Sequence, residues 1–113
     1  MNLQDPRLTK SFTFDHALWS YDGFENDAEG YSHAAPGSQY ADQKSVWKKL
    51  GESILDKAWK GLNCTLFAYG QTGSGKSYSI FGYGKNAGIV PMASTEIFRR
   101  INENNDPEVT FQV

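Results

Sequence analysis

The chain has 113 residues, 39% of them hydrophobic and 14% aromatic, with a formal net charge of −2. That suffices for one small domain and not two, is too apolar for a disordered tail, and gives no electrostatic case for nucleic acid or an anionic membrane as partner. A single cysteine, Cys64, excludes an internal disulfide, and neither a signal peptide nor an apolar run of about eighteen residues is present, so a soluble intracellular protein is expected.

Residues 9–20 alternate in part, with Phe12 and Phe14 on one face and Ser11, Thr13 and Asp15 on the other. This pattern predicts a strand. Residues 21–40 are rich in Gly, Ser, Asn and Asp and read as a long loop. The loop is acidic: Asp15, Asp22, Glu25, Asp27, Glu29 and Asp42 fall in a stretch without Lys or Arg, whereas residues 44–60 carry five lysines. An exposed loop followed by a solvated helix face accounts for both. The acidic cluster is not an EF-hand, because Phe24 stands where a third-position ligand is needed.

From Asp42 onward, Val46, Trp47, Leu50, Ile54, Leu55, Ala58 and Trp59 form one apolar helical stripe. Asp42 is placed to cap this helix, and Gly61 to end it in the left-handed conformation. The run Cys64-Thr65-Leu66-Phe67-Ala68-Tyr69 then predicts a short buried strand with an inert thiol. On that reading the glycosylation triplet Asn63-Cys64-Thr65 is discounted. A short helix should follow Gly75 and end before Gly82, residues 82–88 form a loop, and residues 91–101 resume helical spacing with Pro91 in a first turn. After the break at Asn104-Asn105-Asp106-Pro107, Val109, Phe111 and Val113 alternate as a further strand. The order implies an α/β fold, a central β-sheet flanked by helices.

Between the strand at 64–69 and its helix stands Gly70-Gln71-Thr72-Gly73-Ser74-Gly75-Lys76-Ser77, which fits G-x-x-x-x-G-K-[ST]. This is the phosphate-binding loop of nucleoside triphosphatases. Its glycines let successive backbone N–H groups turn toward phosphate oxygens. Lys76 supplies a cation for the β- and γ-phosphates, Ser77 a hydroxyl for Mg²⁺, and the following helix directs its N-terminus at the same anion. A glycine-rich surface turn that binds nothing is the plain alternative. Four constrained positions recur by chance in roughly one chain of this length in a few hundred, and the strand-before, helix-after context narrows it further. His16 and His33 lack metal-ligand spacing, and no Ser-His-Asp set is present.

Two absences point to a fragment of a larger catalytic domain. A sheet buried on both faces needs more than three strands. A P-loop enzyme also needs a second acidic Mg²⁺ anchor at a strand end, and only Phe12-Thr13-Phe14-Asp15, which precedes the loop, has that form.

The stretch Leu66-Phe67-Ala68-Tyr69-Gly70-Gln71-Thr72-Gly73-Ser74-Gly75-Lys76-Ser77-Tyr78 goes beyond a generic phosphate loop and resembles the signature of kinesin motor domains. Phe12-Thr13-Phe14-Asp15 is similar to that family's second strand, and Tyr40-Ala41-Asp42-Gln43 to the start of its first long helix. Gly88-Ile89-Val90-Pro91 resembles the helix restart after the fifth loop, and residues 109–113 the fourth strand. Ser77, Leu18-Trp19-Ser20 and Leu50-Gly51-Glu52-Ser53-Ile54-Leu55 resemble the kinesin-3 branch; Asp22-Gly23-Phe24, the loop insertion and Ala58-Trp59 lean toward its sub-branch named kinesin-like protein six. Ser79-Ile80 and Leu62 depart from the usual residues at their positions.

The resemblance implies that residues 1–113 are part of a motor domain, from second to fourth strand, of a microtubule-stimulated ATPase. Such a protein would be cytoplasmic and cytoskeletal, moving an organelle or vesicle (mitochondria among the candidates) through a tail that is not in this sequence. The expected cofactors are ATP and Mg²⁺. Backbone amides of Gln71 through Ser77 would hold the phosphates, with Gly70 opening the loop and Tyr78 either against the adenine or simply packed. The family's adenine-contacting arginine-proline motif, switch motifs and microtubule-binding elements are not in the chain, so by itself it is not expected to hydrolyse ATP. Another P-loop enzyme would want a lid bearing arginines or a guanine-specific motif, and neither is seen. A non-catalytic interaction fragment is the remaining alternative.

Overall fold

The computed structural model describes residues 6–113; the polar opening, residues 1–5, lies outside them. After a 3-10 turn at Pro6–Leu8, the chain forms an antiparallel hairpin of β1 (Phe24–Asn26) and β2 (Ser32–Ala34), with Glu25 opposite His33. Asp27 makes its turn. The carboxylate accepts from the Tyr31 and Glu29 amides, each at 2.9 Å, and the Tyr31 amide foremost holds it below the usual carboxylate range. The hairpin lies inside the stretch expected to be loop. Three-residue strands among Gly, Asp and Asn leave no alternation long enough to read.

Next come α1 (Gln43–Val46), a π-helical turn at Trp47–Gly51, and α2 (Glu52–Trp59) as one continuous rod. The expected caps are both present. Asp42 Oδ1 accepts from the Ser45 amide and hydroxyl, each at 2.7 Å, and Gly61 takes φ +87°. The π turn coincides with a close contact. A Cβ on Gly51 would stand 2.1 Å from the Trp47 ring, so the indole crosses the rod where only glycine leaves room. The Glu52 amide then reaches back five residues to the Trp47 carbonyl.

Helix α3 (Lys76–Ile80) starts where expected. Residues 82–88 contain a two-residue antiparallel ladder, β3 (Gly82–Tyr83) with β4 (Asn86–Ala87). Helix α4 (Ile89–Asn102) begins two residues before Pro91, which therefore sits in its first turn. Arg100 ties α4 to α2: its guanidinium donates to Asp56 at 2.6 Å and to Glu96 at 2.9 Å, and lies 5.5 Å from the Trp59 ring centre. Arg99 foremost, with Arg100, draws the Glu96 carboxyl down to about 2.

The expected central sheet is not formed. Of residues 9–20, only Trp19 pairs, in a single parallel bridge with Tyr40, and Phe12 and Phe14 are exposed. Residues 64–69 and 109–113 join no ladder among the described residues. Cys64, expected to be buried, is exposed, as are Phe67 and Tyr69, so burial gives no ground for discounting Asn63-Cys64-Thr65. The reason is physical: a strand is stable only when its N–H and C=O groups meet a neighbour's, and none of these three segments pairs with another. The radius of gyration is 17.9 Å, against about 13 Å for a compact domain of this length. Tyr40, Leu55 and Ile89 make a small buried apolar set, and Gln43 is buried beside it.

Candidate functional site

The glycine-rich loop is an open turn in which three glycines have positive φ: Gly70 at +154°, Gly73 at +81° and Gly75 at +90°. At Gly73 and Gly75 there is room for a Cβ, so it is the backbone angle that calls for glycine. Gly75 in the left-handed region turns the chain directly into α3. The Ser74 amide donates to the Gln71 carbonyl at 3.2 Å, closing the turn. Lys76 then folds back across the loop. Its Nζ donates to the Gly70 carbonyl at 2.7 Å and the Gln71 carbonyl at 2.6 Å.

That placement matters chemically. The ammonium is held by neutral carbonyls, and no carboxylate pairs with it among the described residues. An arriving anion therefore competes with dipoles and not with a fixed negative charge.

Thr72, Gly73, Gly75, Lys76, Ser77 and Tyr78 line an open cleft of about 490 Å³, together with Tyr83. Such a volume lies within the range of small-molecule sites. Of the remaining sequence-predicted residues, Gly70 and Gln71 take part through the carbonyls that hold Lys76. Ser74 does not line the cleft; its hydroxyl packs over Gly70, where a Cβ would meet it at 2.6 Å. The Tyr78 and Tyr83 rings stand 6.3 Å apart at 31° and give the cleft an aromatic wall, with Lys76 also in its lining.

Three residues escape the sequence reading: Tyr83, which lines the cleft, and Gln43 and Asn86, which lie outside its lining. Tyr83 is an aromatic alone in a glycine-rich loop, and that isolation is its only signal. Gln43 and Asn86 look like ordinary polar positions, yet Gln43 is 4% exposed. Its Nε2 donates to the Tyr78 carbonyl at 2.6 Å and to the Asn86 carbonyl at 3.3 Å. Behind Tyr78, burial pushes the Tyr40 hydroxyl up to about 12, aided by the neighbouring Tyr78 hydroxyl. Burial does the same to Tyr31, whose oxygen accepts from the Lys44 amide. Both phenols stay protonated in the physiological range. Asp42 moves the other way: burial favours its neutral form, but the Ser45 hydrogen bonds outweigh that and hold it low.

Comparison with known proteins follows this geometry. The family described as "Kinesin motor domain" matches residues 2–113. Kinesin-like protein KIF28 of Mus musculus is 45% identical over 120 residues, covering 100% of this chain and 12% of that protein. Human kinesin-like protein KIF1C is 38% identical, covering 97% of this chain and 9% of its own length. Among solved structures, a KIF14 motor with ADP in complex with a microtubule superposes with a TM-score of 0.69 at 37% identity, covering 91% of this chain and 26% of that one. A two-heads-bound KIF14 dimer with AMP-PNP on a microtubule gives 0.70 at 36% identity. The chain therefore spans a small part of each relative. It belongs to the kinesin motor domain family, with relatives in the kinesin-3 group.

Proposed function

We propose that residues 1–113 form the nucleotide-holding part of a microtubule-stimulated ATPase, from the second to the fourth strand of the motor domain. The observation that carries this reading is the Lys76 ammonium drawn across a turn of left-handed glycines at the start of α3. In this reading the amides of Gln71 through Ser77 cradle the phosphates, and Lys76 exchanges its two carbonyl partners for phosphate oxygens. Tyr78 and Tyr83 receive the base. Among the described residues no group of three or more His, Cys, Asp or Glu could hold a metal. The Ser77 hydroxyl would be the chain's ligand to a Mg²⁺ ion, whose charge would offset that of the phosphates.

The unpaired segments at 9–20, 64–69 and 109–113 fit strands that pair with other parts of a motor domain. Microtubules are the track; organelle or vesicle cargo attaches elsewhere, and the protein works in the cytoplasm on the cytoskeleton. The KIF14 structures, with ADP or AMP-PNP and a microtubule, support both ligands.

The test is equilibrium binding of a fluorescent ATP analogue with Mg²⁺. Lys76→Ala should weaken it more than about tenfold, the loss of one charge-assisted contact, and ATP should outcompete GTP. Residues 1–113 alone should release no phosphate on microtubules, because catalysis in P-loop enzymes depends on positioning groups this chain lacks. Hydrolysis at motor-like rates would overturn that last point, and unchanged binding in Lys76→Ala would overturn the cradle.

A further inference from the structure

We propose that the β1–β2 hairpin is a brace for the aromatic wall of the cleft, and that Asn86 and Gln43 are the positioning residues through which it acts on the nucleoside moiety. The inference rests on reading the cleft as a nucleotide site.

Tyr83 is 69% exposed, and its ring stands 6.3 Å from that of Tyr78. Its place is set by the short β3–β4 ladder that carries it. That ladder is only two residues long on each side, too short to hold itself. Other groups must fix it, and the structure shows which. From the hairpin side, the Ser32 amide donates to Asn86 Oδ1 at 2.7 Å, and Asn86 Nδ2 donates to the Gly30 carbonyl at 2.9 Å. One side-chain amide thus uses its donor and its acceptor on the same hairpin, more than fifty residues away in sequence. Glu29 adds an ion pair with Lys85 at 3.1 Å. From the helix side, Gln43 joins the carbonyl of Tyr78 to that of Asn86 and so ties the two tyrosine-bearing segments together.

Hairpin and β3–β4 therefore share one hydrogen-bond network that reaches α3 at the Tyr78 carbonyl, while the Lys76 ammonium is held by the Gly70 and Gln71 carbonyls, which Asn86 does not touch. The division makes a selective prediction. Loosening the network should harm contacts with the base and ribose and spare contacts with phosphate.

The experiment measures ATP and inorganic tripolyphosphate, each with Mg²⁺, on the whole 113-residue chain. Asn86→Ala should weaken ATP about tenfold, the scale of one lost base-stacking platform, and leave tripolyphosphate within about twofold. Since that variant also removes two hydrogen bonds from the fold, a second series keeps the test sharp. Glu29→Lys is a surface change that sets two cations against each other; it should weaken ATP about twofold to threefold at low salt. Adding Lys85→Glu should restore the affinity, a rescue that a general loss of stability would not give. Equal effects on both ligands, or no effect on either, overturn the brace while leaving the nucleotide site standing. If the unmodified chain binds neither ligand, the nucleotide reading fails and the brace fails with it.

Discussion

Two parts of this chain obey different rules. The hairpin, the helical rod, α3 with its loop, and α4 are held by contacts that the chain makes with itself. The segments at 9–20, 64–69 and 109–113 have strand-like sequences and almost no ladder. Local signals such as caps, turns and helical stripes act over a few residues and succeed wherever those residues are present. Sheet pairing is non-local. A strand's propensity describes how well it would suit neighbours, and so it promises nothing about a sheet until the neighbours are in place.

The widest separation between the two parts should appear in amide hydrogen exchange. Amides in the middle of α4 should exchange at least about 100-fold more slowly than those of residues 64–69 or 110–113, because the former sit in a helical ladder and the latter join none. Equal protection in 64–69 would mean that a ladder forms there, and the contrast would collapse. The exposed Phe67, Tyr69 and Val113 side chains make the same point from another direction. Adding a polypeptide that supplies the remaining motor domain should bring protection to those segments first.

Much of the self-held part was legible. Asp42 and Gly61 bracket the rod as their chemistry predicts, and Gly75-Lys76-Ser77 opens α3 where the motif places it. Three things were not. The π turn comes with the Trp47 ring lying against Gly51, a contact that an apolar stripe does not encode. The hairpin and the β3–β4 ladder are too short for alternation to register. Gln43 and Asn86 owe their importance to partners 35 to 56 residues away, and no local pattern carries that information. Cys64 shows the opposite error, since its apolar surroundings in sequence suggested burial that depends on absent strand partners.

A sharper cut comes from two neighbouring glycines in the self-held part. A Cβ at Gly82 (φ +73°) would stand 1.9 Å from the Asn86 carbonyl oxygen and 2.5 Å from the Gly88 nitrogen, both backbone atoms. At Gly84 (φ +53°) it would meet nothing within 4 Å. Gly82→Ala should therefore lose more than about 2 kcal/mol, strain plus clash, and Gly84→Ala about 1 kcal/mol from the left-handed backbone alone. Urea unfolding followed by circular dichroism reads the difference. Similar losses at the two sites would show that the ladder around Tyr83 gives way easily, and that it cannot position a ring.

The smallest expected effect tests whether the rod depends on its own cap. Asp42→Ala should cost about 1 kcal/mol, the usual value for a lost N-cap acceptor, and Asp42→Asn much less, because the amide oxygen can still accept from Ser45. The pH dependence has a definite sign. Since Asp42 titrates lower in the folded chain than its ordinary value of 3.8, its charge stabilises the fold fully above that ordinary value. The contribution fades as the pH falls through the lowered folded value, where the native carboxylate finally takes up its proton. Asp42→Asn should remove that share of the acid sensitivity while keeping most of the cap. Glu96, drawn down to about 2 by Arg99 and Arg100, supplies a second acid-sensitive link that the substitution leaves untouched. Helix content measured from pH 6 downward should therefore fall in both proteins, and less steeply in Asp42→Asn once the pH drops below the ordinary Asp value of 3.8. Identical curves would mean that Ser45 holds the first turn without the charge, and that the rod draws its start from packing against the hairpin instead.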